Sequence, residues 1–208
     1  MSLEDRAHNL SADEALERLR AGNARYVEGT SDLPMSQSDR RPSLVEGQRP
    51  FATILACADS RVDPCVVFDQ GLGDLFVIRV AGNISTPVVL GSIEYASLHL
   101  GVNLIVVAGH QSCGAVTAAV AQRDFDGPEH ESHIDHILAS LQPAVRHTAD
   151  QPASNRVAAA TRENARLNAT AIAASDPVMC RLAAQGVRVL PAYYSLETGA
   201  VDWLKGSA

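Results

Sequence analysis

No stretch of this chain approaches the ~20 consecutive apolar residues needed to cross a bilayer, so no membrane span is expected. It carries no excess of positive charge either. With 17 Lys and Arg against 24 Asp and Glu, its net charge is -7, and no basic stripe is available to neutralise phosphates. That argues against nucleic acid as a partner. Its four cysteines include no Cys-x-x-Cys pair, which removes dithiol redox chemistry. Internal repeats and low-complexity tails are also missing. Met1 to Asn9 carries Glu4, Asp5 and Arg6 without an apolar core, so no secretory leader is expected and the setting is read as a reducing cytoplasm. A length of 208 residues suits one domain with a full core. A helix-and-loop arm over 1–47 and an α/β core over 48–208 are expected.

The apolar pattern gives the architecture. Ile105 to Ala108 have no polar alternation, as in a strand covered on both faces, and Phe51 to Ala56, Asp74 to Val80 and Val187 to Leu190 read as further strands. Helical signals alternate with them. Ser11-Ala12-Asp13-Glu14 is a capping box ahead of Leu16, Leu19 and Tyr26. Thr86-Pro87 opens a helix with Ile93, Ala96, Leu98 and Leu100 inward and Gly101 at its end. An alanine-rich helix is predicted over about Ala153 to Ala174, and Asp176-Pro177 restarts one that stops before Gly186. Tyr194 to Gly199 turns into Ala200 to Leu204 as a hairpin edge. The result is an α/β fold: a mainly parallel central sheet flanked by helices, with an antiparallel edge strand near the C-terminus and an N-terminal helical arm.

Two of these runs end in chemistry. Ile105 to Ala108 leads into Gly109-His110-Gln111-Ser112-Cys113-Gly114, where an imidazole and a thiol three apart are predicted to share the face of a first helical turn. A helix N-terminus there favours the Cys113 thiolate. The first strand ends in Cys57-Ala58-Asp59-Ser60-Arg61. In open parallel sheets sites form beyond the carboxyl ends of strands, so Cys57, His110 and Cys113 are expected together. Three such ligands match a catalytic zinc with one position open. Asp59 and Arg61 beside a cysteine point the same way, because a structural zinc needs neither. His130, His133 and His136, with Glu129, Glu131 and Asp135, offer ligand types too, but read as a solvated helix start. Cys65 and Cys180 lack partners at useful spacing and read as core, as does His99 between Leu98 and Leu100.

These segments resemble the β-class carbonic anhydrases. The two signature pieces are Cys57 to Arg61 and His110 to Gly114. Gly73 to Arg79, Ala81-Gly82-Asn83 and Ser92 to Ala96 stand between them in the family's order, and the likeness returns over Tyr193 to Gly199. The resemblance implies one Zn2+ per subunit on Cys57, His110 and Cys113, with Asp59 paired to Arg61 in the open state and able to become a fourth ligand in a closed one. It implies a substrate pocket with Gln48, Phe76, Tyr95 and Gly114, partly across a subunit boundary, hence a homodimer or homotetramer. The implied activity is reversible hydration of carbon dioxide to bicarbonate and a proton by zinc-bound hydroxide. Val80 departs from a common asparagine and Cys65 from a frequent acidic residue, and neither is a ligand. Ile54 stands where the bicarbonate-inhibited branch carries tryptophan, and with Gln48 this favours an open resting site. Two other readings stay in view: a carbon disulfide or carbonyl sulfide hydrolase on the same scaffold, and a non-catalytic zinc-stabilised binding module.

Overall fold

The structure is a computed structural model and describes residues 9–32, 40–122 and 132–206. Five strands, β1 (Ala52–Ala56), β2 (Leu75–Arg79), β3 (Leu104–His110), β4 (Arg188–Tyr194) and β5 (Val201–Trp203), form one sheet in the order β2-β1-β3-β4-β5. The first three pairings are parallel and β4 to β5 is antiparallel, as the sequence predicts. β4 runs further than the apolar residues Val187 to Leu190 indicate, because Pro191 to Tyr194 continue the ladder beside β3.

Successive side chains of β1 and β3 leave on opposite faces, and both faces are covered. Ile54, Ala56, Val106 and Ala108 pack with α1 (Ala12–Glu28), while Leu55, Ile105 and Val107 pack with α7 (Arg156–Ala173) and α8 (Pro177–Ala184). Each fully buried Leu or Ile of this kind stabilises the fold by about 1.5–3 kcal/mol. β3 is therefore buried at every residue.

The capping box predicted for α1 is present: Glu14 N–H donates to Ser11 Oγ at 3.3 Å and Ser11 N–H to Glu14 Oε2 at 2.9 Å. The sequence leaves open whether this helix packs on its own sheet, and the structure decides that it does. Ala15 and Leu19 are fully buried, and Asn23 Nδ2 donates to Val67 O at 3.0 Å and Gly199 O at 2.9 Å. Gly22 allows the close approach, since a Cβ there would stand 1.8 Å from Phe68 O. The short α2 (Arg40–Ser43) precedes β1, and α3 (Pro64–Val67) follows it.

α4 (Pro87–His99) follows β2 through a one-turn 3-10 segment at Ala81–Asn83. Ile93 and Ala96 are buried as predicted, but Leu98 and Leu100 are only half-buried. His99 is exposed and stacks on Tyr95, ring centroids 4.8 Å apart, so it is not core. Cys180 is exposed and Cys65 half-buried, against the core placement read for both. α5 (Gly114–Ala121) and α6 (His133–His147) pack together at the end of the sheet where β1 and β3 stop.

Strand order then places the site. From β1 the chain goes outward to β2; from β3 it goes the other way, to β4. The carboxyl ends of β1 and β3 therefore flank the point where the winding reverses, and an open parallel sheet has its crevice there.

Candidate metal centre

Cys57 follows the last residue of β1, and His110 is the last residue of β3. Ala56 is level with Ala108 in the ladder, so both chains leave the sheet side by side. Cys113 caps α5, and the chain reaches it through Ser112, whose φ of 55° is left-handed. His110 and Cys113 thus meet across a tight turn and not on one helical face, as their spacing predicts. The Cys57 Sγ, Cys113 Sγ and His110 ring nitrogen lie within 4.8 Å of one another, and all three residues are buried. Among the described residues this is the one group of ligand-type side chains gathered closely enough to hold an ion.

The donor set fits a zinc ion. His110 Nδ1 lies 3.0 Å from Gln111 O, which fixes the ring, while His110 Nε2 is buried without a hydrogen-bond partner. A buried polar atom left bare is costly unless something occupies it. Two sulfurs and a ring nitrogen oriented by a backbone carbonyl are a zinc-type donor set with the usual outer support.

The two thiols differ. Cys57 is pulled well below the ordinary thiol range, chiefly by its hydrogen bond with Cys113, with His110 and the Gly82 N–H adding to the effect against burial. Cys113 is pushed up by that same contact and by burial. The N–H groups of Val116 and Ala115 do favour its thiolate, as a helix start should, but the neighbouring sulfur outweighs them.

Asp59 and Arg61 stand at the rim. Arg61 Nε donates to Asp59 Oδ1 at 2.9 Å and Arg61 Nη2 to Asp59 Oδ2 at 2.7 Å, and Nη2 also reaches Ser112 O at 3.3 Å. The Arg61 guanidinium holds the Asp59 carboxyl well below the usual carboxylate range, against a smaller opposing push from burial. Asp59 Oδ2 is 4.0 Å from His110 Nε2.

A family model described as carbonic anhydrase matches residues 52–201. The chain belongs to the β-carbonic anhydrase family. It is 47% identical over 131 residues to carbonic anhydrase 2 of Mycobacterium tuberculosis (strain ATCC 25618 / H37Rv), covering 63% of each chain, so it spans under two thirds of that relative's length. It is 35% identical over 187 residues to the carbonic anhydrase of Pseudomonas aeruginosa PAO1, covering 85% of this chain and 83% of that one. Its fold is that of the tetrameric β-carbonic anhydrases of Sordaria macrospora, with a TM-score of 0.71 at 24% identity over 94% of this chain and 100% of that one. The carbon disulfide or carbonyl sulfide hydrolase and the binding module find no support in these matches.

Of the expected pocket residues, Gly114 adjoins Cys113, while Phe76 and Tyr95 of the same chain are set back from the three ligands. Phe76 pairs with Thr53, three residues back along β2 from Arg79, which is level with Ala56. That is about 10 Å at ~3.3 Å per residue. Phe76 packs against Tyr95, ring centroids 6.2 Å apart, and Tyr95 is 46% exposed. Gln48 is exposed in the loop before β1, and Gly114 is exposed beside Cys113 with nothing within 4 Å of a Cβ position. His133 and His136 are exposed on α6, whereas His130, Glu129 and Glu131 lie outside the described residues.

Residues that the sequence did not single out complete the surroundings. Arg79 Nε donates to Cys57 O at 3.0 Å and its Nη2 to Asp59 O at 2.6 Å, bracing the loop that carries both. A lone guanidinium at the end of the apolar Leu75 to Ile78 was the available signal. Gln111 Oε1 accepts from Ser195 Oγ at 3.2 Å and Glu197 N–H at 3.0 Å, tying the His110 turn to the loop after β4.

Proposed function

We propose that this chain hydrates carbon dioxide reversibly to bicarbonate and a proton, with one zinc ion per subunit on Cys57, His110 and Cys113. The observation that carries the reading is the Asp59 carboxylate, locked to Arg61 and standing 4.0 Å from the bare His110 Nε2. A purely structural zinc would need no ionised carboxylate at that distance. Zinc, when bound, supplies the Lewis acidity that brings the pKa of a coordinated water from 15.7 towards about 7. Asp59 is ionised, so its oxygens only accept: Oδ2 takes a hydrogen bond from the attacking group and thereby fixes the direction of its lone pair. Arg61, through its two-point contact, keeps that carboxylate off the ligand position. The exposed, uncrowded Gly114 leaves room at the same rim.

The pocket reading assigns Gln48, Phe76 and Tyr95 to the substrate channel, apolar because carbon dioxide offers almost no polar handle. Phe76 and Tyr95 lie at the outer strand β2 and on α4, beside the exposed Val77 and Val88. This displacement supports a second copy that brings its own pair to the rim, hence a homodimer or homotetramer; the similar Sordaria proteins are tetrameric. Among the described residues no helix is long and apolar enough to cross a membrane, and the four cysteines are free, which supports a reducing cytoplasmic setting.

The test is carbon dioxide hydration by stopped flow on protein of measured zinc content. One zinc per chain is expected, with activity climbing between roughly pH 6 and pH 9 because the nucleophile must be deprotonated. Zinc-loaded protein inactive at high pH overturns the proposal. So does sulfide release from carbon disulfide or carbonyl sulfide without carbon dioxide hydration.

A further inference from the structure

Among the backbone N–H groups that face the ligand sulfurs, that of Gly82 reaches Cys57 Sγ at 3.4 Å from a separate segment of chain, the turn after β2. It sits in an unusual turn. Gly82 has φ 75° and Asn83 φ 43°, two successive left-handed residues, and a Cβ at Gly82 would meet Leu141 at 3.2 Å. Such backbone persists only where its surroundings over-determine it. Those surroundings come from α7. Asn164, 1% exposed, donates from Nδ2 to Gly82 O at 2.8 Å. One helical turn on, Asn168 Nδ2 donates to Asn164 O and Oδ1, both at 2.9 Å, and Asn168 Oδ1 accepts from Ser85 N at 2.7 Å and Ser85 Oγ at 2.8 Å. The two amides therefore grip the turn at Gly82 and again at Ser85. α7 can lie this close because Gly109 of β3 faces Thr161, where a Cβ would stand 2.9 Å from the Thr161 methyl.

We infer that Asn164, steadied by Asn168, is a positioning residue for the Cys57 sulfur, acting through the N–H of Gly82. Asn164 fixes the orientation of the Gly82 residue, and that orientation aims the N–H at the sulfur. The hydrogen bond withdraws charge from the sulfur and holds it in place, as outer partners of ligands do at metal sites. Neither asparagine touches the reacting atoms. The inference rests on Cys57, His110 and Cys113 holding zinc.

The test is N164L in the full chain, which keeps the bulk and removes the donor. Zinc affinity is measured by competition with a chelator, and the sulfur-to-metal charge-transfer band is recorded after loading with Co(II). About 10-fold to 100-fold weaker zinc binding is expected, with the cobalt band moved to longer wavelength because the sulfur is left richer in charge. A merely structural role would lower the melting temperature and leave the band where it is. If N164L does not fold, N168A decides: it frees the Asn164 side chain while leaving its donor in reach, and a smaller change of the same sign is expected in both readouts. Wild-type affinity and band position in whichever variant folds overturn this inference alone. A wild-type protein that binds no stoichiometric zinc overturns the metal reading and this one with it.

Discussion

Arg61 binds both oxygens of Asp59, at 2.9 and 2.7 Å, from only two residues away, and ties the pair to the Ser112 carbonyl beside Cys113. The carboxylate is thereby held at the rim of the ligand group without joining it. Asp59→Ala is expected to keep zinc and lose turnover by roughly 100-fold or more, whereas Cys57→Ala is expected to lose the metal itself. Metal analysis beside stopped-flow hydration separates the two. Parental turnover in Asp59→Ala would remove the role assigned to that residue.

Removing the other half of the pair has a different signature. In Arg61→Ala the Asp59 carboxyl loses the contact that holds it low, so its titration should rise towards the ordinary value of ~3.9. The sign follows: a depressed carboxyl pKa contributes stability above the unfolded-chain value and loses it as pH falls through the folded one. The parent should therefore keep this contribution at pH values above ~4 and the variant should lack it. Acid unfolding curves of both proteins, with carboxyl NMR shifts, check the direction.

The docking of α1 depends on one missing methyl group. Gly22→Ala would place a carbon 1.8 Å from Phe68 O, and helix and loop would have to separate. Overpacking of this kind costs about 1–3 kcal/mol or more. For a chain of this size that lowers the melting temperature by roughly 2–4 °C per kcal/mol. Gly47→Ala, with nothing within 4 Å, should leave it unchanged.

Thiol chemistry should sort the cysteines by exposure. Burial pushes the Cys65 thiol up to about 11, while Cys180 is exposed on α8. Iodoacetamide at pH 8 is expected to label Cys180 first and leave Cys65 largely intact, which peptide mapping reads directly. Because the unfolded chain ionises this thiol nearer 8.5, the stability linked to Cys65 is complete below that value and fades as pH climbs towards 11. Cys65→Ala should remove that alkaline decline.

Much of this was legible in the sequence because the signals were local. Ser11 with Glu14, Thr86-Pro87 and Asp176-Pro177 mark helix starts that the structure has, and the unbroken apolar run of β3 marks a strand with two covered faces, whereas the edge strand β2 alternates between buried and exposed residues. Cys57 and the His110–Cys113 pair were legible as strand-end residues because a parallel sheet brings such ends together. What the sequence hid depends on distant packing. His99 is exposed because α4 turns that side outward, a choice that neighbouring leucines do not dictate. Arg79 and Asn164 donate from their side chains to backbone oxygens, partners that carry no residue-specific mark. Phe76 is set back along β2 by register and Tyr95 is carried on α4, placements that motif spacing cannot convey.

The winding reversal between β1 and β3 has a consequence for folding. An ion gripped by Cys57 on one side and by His110 with Cys113 on the other would stitch together two segments that no hairpin joins, so the denatured chain forfeits the whole clasp at once. By mass action, free zinc at a thousandfold over its dissociation constant would add ~4.1 kcal/mol to the folded state. A strong chelator should therefore weaken the fold as well as silence it, and the earliest damage should fall where the two halves of the sheet part company.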